Sequence, residues 1–343
     1  MRLQNTPRSA YLVWESFEVL FMRSNYIASS LALLLAAIAP FAAVAQTSSA
    51  KALTNSQARP PITGISHLAT YAADMQATER YYVDSIGAVR APDPENPRGV
   101  RYMLSPTQFV EVLPLPANAG VNRLDHTAWN TTDAASLRTY LAAKGWKTPA
   151  RTTLLSDGSR TFRVHDPEGN LVEFVQPPAH SRPVAAPNAV GHHIIHVGFM
   201  VHSRAAEDTF YRALLGFRSY WFGGMQDNRI DWVSQQAPDG HDWLEYMLTS
   251  GPSGTGIPAN MTQQALGVLD HLSIGVVSVP SAYKMLVAQN RLTGHTDKHT
   301  QIGRDGKEQF NLYDPDGIRL ELMDFHAVEK PCCSPFTASD PAQ

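Results

Sequence analysis

The sequence predicts an α+β protein made of four strand–helix–three-strand units that pair into two domains. A short apolar strand carrying a His is followed four times by an apolar strand carrying a Glu. Helix and turn signals recur at matching places between these strands. The repeated pairs, which lie 44 to 50 residues apart, are His67 with Glu111, His126 with Glu173, His196 with Glu245, and His271 with Glu321.

Units one and three have the same register. Each opens with a His strand, and an aromatic helical pattern follows, with Tyr82 and Tyr211 each 15 residues after their His. Gly87 and Gly216 each follow their His by 20 residues. Because glycine readily ends a helix in the left-handed conformation, we expect both to be C-caps.

Units two and four repeat the scheme. Each of their first strands is preceded or opened by the tripeptide Leu-Asp-His, whose histidines are His126 and His271. Helices are predicted over residues 133–144, closed by Gly145, and around residues 281–289. Proline-containing turns, such as Asp-Pro-Glu-Gly at 166–169, precede the Glu strands.

The Glu strands are apolar on both faces, as in Leu-Val-Glu-Phe-Val at residues 171–175. A carboxylate buried among apolar neighbours is costly unless it is paired or binds a metal. A single such Glu is more often an edge residue facing solvent, and a single strand His is more often a core residue. Four of each at equivalent positions predict one divalent metal site in each half, since imidazole and carboxylate suit such metals.

The first 45 residues predict a secretory signal. Residues 27–45 are uncharged, rich in Ala and Leu, and end in Ala-Val-Ala, which indicates cleavage after Ala45. Met22 is an alternative start. A membrane anchor is the less favoured alternative, because the stretch is short and contains Pro40. A secreted or periplasmic protein without stable membrane insertion after cleavage is expected.

The remaining boundaries follow from composition. We predict a linker at 46–61, a first domain at 62–178, a Pro- and Ala-rich linker at 179–189, a second domain at 190–326 and a tail at 327–343. The two cysteines, Cys332 and Cys333, are adjacent, so they cannot cross-link a core. A local disulfide in an oxidising compartment is expected, and metal binding by this pair is the less favoured alternative.

Charge excludes one class of partner. The formal net charge is -3 and no basic run occurs, so nucleic-acid binding is not expected. The predicted partner is a small-molecule substrate. Either a monomer or a homodimer is compatible with the sequence, because two domains in one chain are able to form their barrels internally.

Together these motifs resemble the vicinal oxygen chelate superfamily, which includes glyoxalase I, type I extradiol dioxygenases and bleomycin-resistance proteins. The resemblance covers nearly all of residues 62–326. Residues 196–217 resemble the first glyoxalase I signature, although Glu207 replaces a small residue. The resemblance implies two half-open barrels. It also implies two metal-ligand sets, one of His67, Glu111, His126 and Glu173, and one of His196, Glu245, His271 and Glu321.

The resemblance implies a lyase or isomerase that acts on a small hydroxycarbonyl or dicarbonyl compound. A divalent metal (Zn, Ni, Mn, Co or Fe(II)) would stabilise an enediolate, and a Glu able to leave the metal would transfer the proton. Glu173 or Glu321 is the candidate base, with Glu111 or Glu245 on the opposite side. Glutathione is not expected as a co-substrate, because it is chiefly a cytosolic compound.

Two alternatives remain. An extradiol dioxygenase has the same two-domain length, but its signature places a Tyr where this chain has Asn311 and Arg163, and His299 lies too far from Phe310 to supply the upstream catalytic His. A bleomycin-resistance-type binding protein is the other alternative, and the complete set of eight ligands argues against it.

The second domain is the preferred active centre because of its aromatic content. Trp221 and Phe222 precede Gly223-Gly224, a predicted flexible loop near a cleft. Core packing is the favoured interpretation for Trp232 and Trp243. The complete aromatic set is Tyr220, Trp221, Trp232, Trp243 and Tyr246.

Overall fold

The computed structural model describes residues 58–180, 184–249 and 260–343. They all belong to one compact unit, Asn55–Gln343. The predicted signal, most of the 46–61 linker and part of the 179–189 linker lie outside the described residues. Among the described residues, no helix has the length and apolar character needed to span a membrane.

The first half forms an eight-stranded sheet in the order β2-β3-β4-β1-β5-β8-β7-β6. Its strands are β1 Ile62–Ala72, β2 Val89–Pro92, β3 Val100–Met103, β4 Phe109–Pro114, β5 Leu124–Thr131, β6 Thr153–Leu154, β7 Arg160–His165 and β8 Leu171–Gln176.

The second half repeats this topology as β10-β11-β12-β9-β13-β16-β15-β14. Its strands are β9 His193–Val201, β10 Arg218–Gly223, β11 Trp232–Gln236, β12 Trp243–Leu248, β13 His271–Val276, β14 Gln301–Ile302, β15 Glu308–Tyr313 and β16 Arg319–Asp324. The predicted fold class, four strand–helix–three-strand units paired into two sheets, is therefore confirmed.

Strand pairing explains why each His strand meets a Glu strand. Within each unit the first strand runs parallel to the last, as β1 does to β4 and β13 to β16. The first strands of paired units run antiparallel, β1 with β5 and β9 with β13. The four strands with the candidate ligands are thus neighbours at the centre of each sheet, where side chains are most fully buried.

The helices begin at side-chain caps. Asp74 and Asp133 accept hydrogen bonds from backbone amides of the first turns of α1 and α2. One helix, α4, precedes β13 and was not predicted. The helices are α1 Met75–Arg80, α2 Ala134–Ala143, α3 Arg204–Asp208, α4 Gln263–Leu269 and α5 Val279–Ala288.

Two helices change pitch before they end. Tyr81–Ile86 continues α1 and Thr209–Leu214 continues α3 as π-helical turns. Gly87 then adopts φ 81° and Gly216 φ 84°, which confirms both predicted C-caps. At Gly87 a side chain would also collide with the carbonyl oxygen of Asn188, so this position has two reasons to be glycine.

A continuous apolar core runs through both halves, and polar contacts tie their central strands together. The side-chain amide of Gln108 donates to the carbonyl of Ile194 (3.0 Å), and its oxygen accepts from the Ile194 amide (2.9 Å). Asp242 accepts from the backbone amide of Ile65 at 2.9 Å. These buried bonds hold β1 and β9 side by side, which sets the relative position of the two ligand sets.

The C-terminal tail packs on the second sheet. Lys307 is completely buried, and its ammonium group donates to Asp340 in the tail (2.7 Å). The Thr337 amide donates to the carbonyl of Tyr220 at 2.9 Å. Cys332 and Cys333 form a disulfide with each other. The tail therefore covers an otherwise open sheet edge and neutralises a buried cation.

His193 connects this tail to the sheet in a pH-dependent way. Its Nε2 donates to Asp242 (2.7 Å) and its Nδ1 to the carbonyl of Ala342 (3.0 Å), so the ring is held as imidazolium. Burial lowers the pKa of His193, but the hydrogen bond and charge of Asp242 outweigh burial and raise it.

We expect His193→Asn to destabilise the protein by about 1 kcal/mol at pH 6, allowing for partial exposure of the ring. Because the folded-state pKa is raised, this contribution is complete below the unfolded pKa of about 6.5 and is lost as pH rises through the folded value. Thermal unfolding of both proteins between pH 6 and pH 9 measures it. A difference in Tm that does not change with pH would contradict the assignment.

Candidate metal centres

The first centre is formed by β1, β4, β5 and β8. The Nε2 atoms of His67 and His126 lie 3.0 Å apart. Glu173 Oε2 lies 2.9 Å from His126 Nε2 and 3.4 Å from His67 Nε2. Glu111 Oε2 lies 3.5 Å from both imidazole nitrogens. All four side chains are at most 1% exposed and converge on one point.

Unpaired oxygens show that a cation fits this centre. Both carboxylate oxygens of Glu111 and the Oε1 of Glu173 are buried without a hydrogen-bond partner. Burial raises the pKa of Glu111, but the imidazole of His67 3.5 Å away and its charge outweigh burial and hold the pKa at about 2. Two ionised carboxylates facing two imidazoles supply the donor set of a divalent metal.

The second centre contains the same four residue types, but its fourth residue, Glu245, lies apart from the close group of the other three. The Nε2 atoms of His196 and His271 are 3.0 Å apart, and Glu321 Oε2 is 3.3 Å from His196 Nε2. Ligand atoms of these three residues all lie within 4.8 Å of one another. Glu245 Oε2 lies 3.5 Å from His271 Nε2, and its side chain is 15% exposed.

Aromatic rings support the first His of each centre. Phe109 opens β4 and stacks on His67 at 4.4 Å between ring centroids. Trp243 opens β12 and packs on His196 at 4.7 Å. Strand register places each ring directly beside its His, so the aromatic residue fixes the imidazole orientation in both halves.

The second His of each centre is oriented differently in the two halves. His126 Nδ1 donates to Asp125 (2.6 Å), whereas His271 Nδ1 donates to the carbonyl of Leu269 (2.8 Å). A carbonyl only accepts, so the Nε2 lone pair of His271 is free to bind a metal.

The pKa values reflect these partners. Burial lowers the pKa of His126, but bonds to Asp125 and Glu173 outweigh it and raise the pKa to about 9. Burial and the charge of Arg319 lower the pKa of His271 to about 4. His271 is therefore neutral, and ready to bind a metal, over a wider pH range than His126.

The two centres differ in whether a cavity reaches their candidate ligands. A cavity of about 580 Å³ opens over the second centre and is lined by both Glu245 and Glu321. In the first half, a cavity of about 660 Å³ is lined by Phe109 but by none of the four candidate ligands. Arg163, which pairs in register with Glu173, lies over that carboxylate at 3.6 Å and is held by Glu95 at 2.8 Å.

Solved structures share this architecture at low sequence identity. The catechol 2,3-dioxygenase structure aligns with TM-score 0.54 and 14% identity, over 82% of this chain and 92% of that one. Homoprotocatechuate 2,3-dioxygenase from Brevibacterium fuscum aligns with TM-score 0.56 and 15% identity, over 77% and 81%. The Mn(II)-bound glyoxalase from Novosphingobium aromaticivorans aligns with TM-score 0.57 and 19% identity, over 77% and 83%.

The chain has the vicinal oxygen chelate fold. No protein-family model matches the chain, and no curated protein matches it significantly in sequence. The fold assignment therefore depends on the two sheets and their topology, in agreement with the resemblance seen in the sequence motifs.

Within this vicinal oxygen chelate fold, the structure brings all eight predicted ligand residues together as two groups of four. The five aromatic residues predicted around the second centre lie in different parts of the structure. Trp221 and Trp232 line the cavity, whereas Tyr246 lies in the main core and Trp243 lies behind His196. Tyr220 bonds to Asp340 of the tail. Trp232, for which core packing is the favoured interpretation, both packs against the second apolar cluster and lines the cavity.

Sequence reasoning missed several residues around the two candidate centres. Asp125 immediately precedes His126, and the Leu-Asp-His motif contained this signal. Arg319 lies two residues before Glu321 on the same strand face, so strand alternation places it in the cavity. The Glu95–Arg163 pair had no local signal, because its residues come from separate elements.

Gly198 provides a test of the second centre. It pairs in register with His271, and a methyl group there would lie 2.6 Å from His271 Nδ1 and still closer to Cε1. We expect Gly198→Ala to displace the imidazole and weaken zinc binding at this centre by about 10- to 100-fold. Zinc titration with calorimetric detection measures it.

The matched control is Ala69→Gly, because Ala69 pairs with His126 at the equivalent place in the first sheet. Removing that methyl group leaves the second centre untouched, so its zinc affinity is expected to stay the same. Wild-type zinc affinity in Gly198→Ala would show that His271 is not a ligand.

Proposed function

We propose that this chain is a metal-dependent enzyme whose second centre catalyses proton transfer on a hydroxycarbonyl or dicarbonyl compound, as a glyoxalase-like isomerase or lyase. The observation that carries this proposal is the position of Glu245. It is the fourth carboxylate, set apart from the close group of His196, His271 and Glu321, and it faces the cavity.

The close group of three would hold a divalent metal, with His271 presenting its Nε2 lone pair. When bound, such a metal polarises a carbonyl and lowers the free energy of negative charge that develops on its oxygen. Zn, Ni, Mn, Co and Fe(II) all suit these donors. Burial raises the pKa of Glu321, but His196 and the charge of Arg319 outweigh burial and hold the pKa at about 2, so this ligand is an anion.

Glu245 has the properties of a general base. Burial raises its pKa, but the His271 imidazole 3.5 Å away and the charge of His196 outweigh burial and lower it. The carboxylate is therefore ionised and able to accept a proton. The Ser234 hydroxyl, 3.3 Å from Glu245 Oε1, is placed to donate to it and steady it at the cavity wall.

The cavity limits which compounds fit. Its volume of about 580 Å³ lies within the usual range for drug-sized ligands and far exceeds the needs of a three-carbon dicarbonyl. Trp221, Trp232 and Met247 contribute apolar surface that would exclude water from the reacting carbon. We therefore propose a substrate with an apolar body beyond its vicinal oxygens.

The first centre is proposed to hold a metal without turning over substrate. Its ligands are fully buried, and the Arg163–Glu95 pair lies over Glu173. A metal at this place would satisfy the unpaired oxygens of Glu111 and stabilise the central strands.

An extradiol dioxygenase is the second candidate. The group of two His and one Glu in the second half matches the facial triad of non-haem iron oxygenases, and the structurally similar proteins include named dioxygenases. Asn311 occupies the place of the Tyr of that signature, and its amide donates to Asp297 at 2.8 Å. Oxygen uptake by the Fe(II)-loaded protein with a panel of catechols tests this alternative directly.

We expect Glu245→Gln to lower kcat by about 100-fold or more while the metal is retained, because the amide cannot accept the proton and the other three ligands remain. Glu321→Gln is expected to lose the metal as well. Hydrogen–deuterium exchange at the substrate carbon and metal analysis of both variants measure these effects on a panel of 2-hydroxycarbonyl compounds.

Glu111→Gln is the matched control, because it changes the equivalent carboxylate of the first centre. It is expected to leave turnover within about twofold of the wild type, since the two centres share no ligand. Unchanged turnover in Glu245→Gln, or lost turnover in Glu111→Gln alone, would contradict the assignment to the second centre.

A further inference from the structure

The cavity of the second half contains a cation, Arg319, that has no ion-pair partner among the described residues. Arg319 lies on β16 two residues before Glu321, so both side chains point from the same face of the strand into the cavity. Within the described part of the chain, Arg319 forms neither an ion pair nor a hydrogen bond. Its Nε is buried without a hydrogen-bond partner.

The other two arginines of this cavity are paired. Arg229 contacts Asp231 at 2.6 Å, and Arg304 contacts Asp227. Their positive charges are balanced within the protein and hold loops in place. Arg319 is therefore the cation of the cavity wall that is left for a ligand.

The acidic residues of the cavity do not change this balance. Glu245 and Glu321 together offset the two positive charges of a divalent metal. Asp231 pairs with Arg229, and Asp305 is buried, which raises its pKa to about 7 and disfavours its negative charge. With the centre loaded, the positive charge of Arg319 stays uncompensated.

The first half lacks this feature. The residue equivalent to Arg319 is Leu171, two positions before Glu173. The arginine that does lie near that centre, Arg163, is already paired with Glu95. A free guanidinium beside the ligands thus belongs to the open centre alone.

We propose that Arg319 binds a carboxylate of the substrate, so that the second centre takes an anionic hydroxycarbonyl compound whose carboxylate adjoins its vicinal oxygens and whose remaining body is apolar. This inference deepens the proposed function and rests on it. A guanidinium presents parallel N–H donors that match a carboxylate. Trp221, Trp232, Met247 and Met323 form the apolar surface for the rest of the molecule.

The test compares two probes that differ only at the anionic group. Mandelate and its amide, mandelamide, share a phenyl ring and an adjacent hydroxyl. The zinc-loaded protein is titrated with each by calorimetry, so the readout is affinity and not turnover. Wild-type protein is expected to prefer mandelate by about 10- to 100-fold, as charge-assisted hydrogen bonds imply.

The variant Arg319→Met retains much of the apolar stem of arginine without its charge. It is expected still to bind zinc, because all four candidate ligands remain, and to lose the preference for mandelate to within about threefold. Arg229→Met is the matched control, because it removes a paired charge from the same cavity, and its preference for mandelate is expected to persist. Arg319→Lys is expected to regain part of the preference.

Failure of the two proposals is distinguishable. If neither probe binds to the zinc-loaded wild type, the proposed function is overturned together with this inference. If the probes bind but the preference for mandelate is equal in wild type and Arg319→Met, the inference alone is overturned. Loss of the preference in Arg229→Met as well would assign it to the general charge of the cavity, and the role of Arg319 would be excluded.

Discussion

The cost of burying carboxylates at the centre of a sheet governs this structure. Glu111, Glu173, Glu245 and Glu321 lie on central strands whose neighbours are almost entirely apolar. Such groups persist only where a cation or a full set of donors compensates them. The parallel pairing of first and last strands and the antiparallel pairing of β1 with β5 bring two imidazoles within reach, and the remaining unpaired oxygens of Glu111 and Glu173 are placed to bind a metal.

Duplication of this arrangement has led to two different environments. In the first half, an Asp carboxylate binds His126 and an arginine pair lies over Glu173. In the second half, His271 binds a backbone carbonyl, and the equivalent of Arg163 is the shorter Asn311. The same four ligand types are thus enclosed in one half and accessible from a cavity in the other.

The surroundings of the cavity depend on parts of the chain far from the ligands. The tail places Asp340 against the buried ammonium of Lys307, which in turn lies 5.5 Å from the Trp243 ring that packs on His196. Gln108 and Asp242 hold the central strands of the two halves together. The orientation of the open centre is therefore a property of the whole unit and not of one half.

The sequence by itself determined the four repeated units, two of their helix C-caps and the eight residues that converge as candidate ligands. Strand alternation and helix C-capping depend on residues close in the chain, so the C-caps at Gly87 and Gly216 were predictable from the sequence. Only the tertiary structure decided which centre is open, that the tail covers β10, and that Arg319 has no partner. Those outcomes depend on contacts between residues distant in sequence, such as Glu95 with Arg163, for which no local pattern carries information.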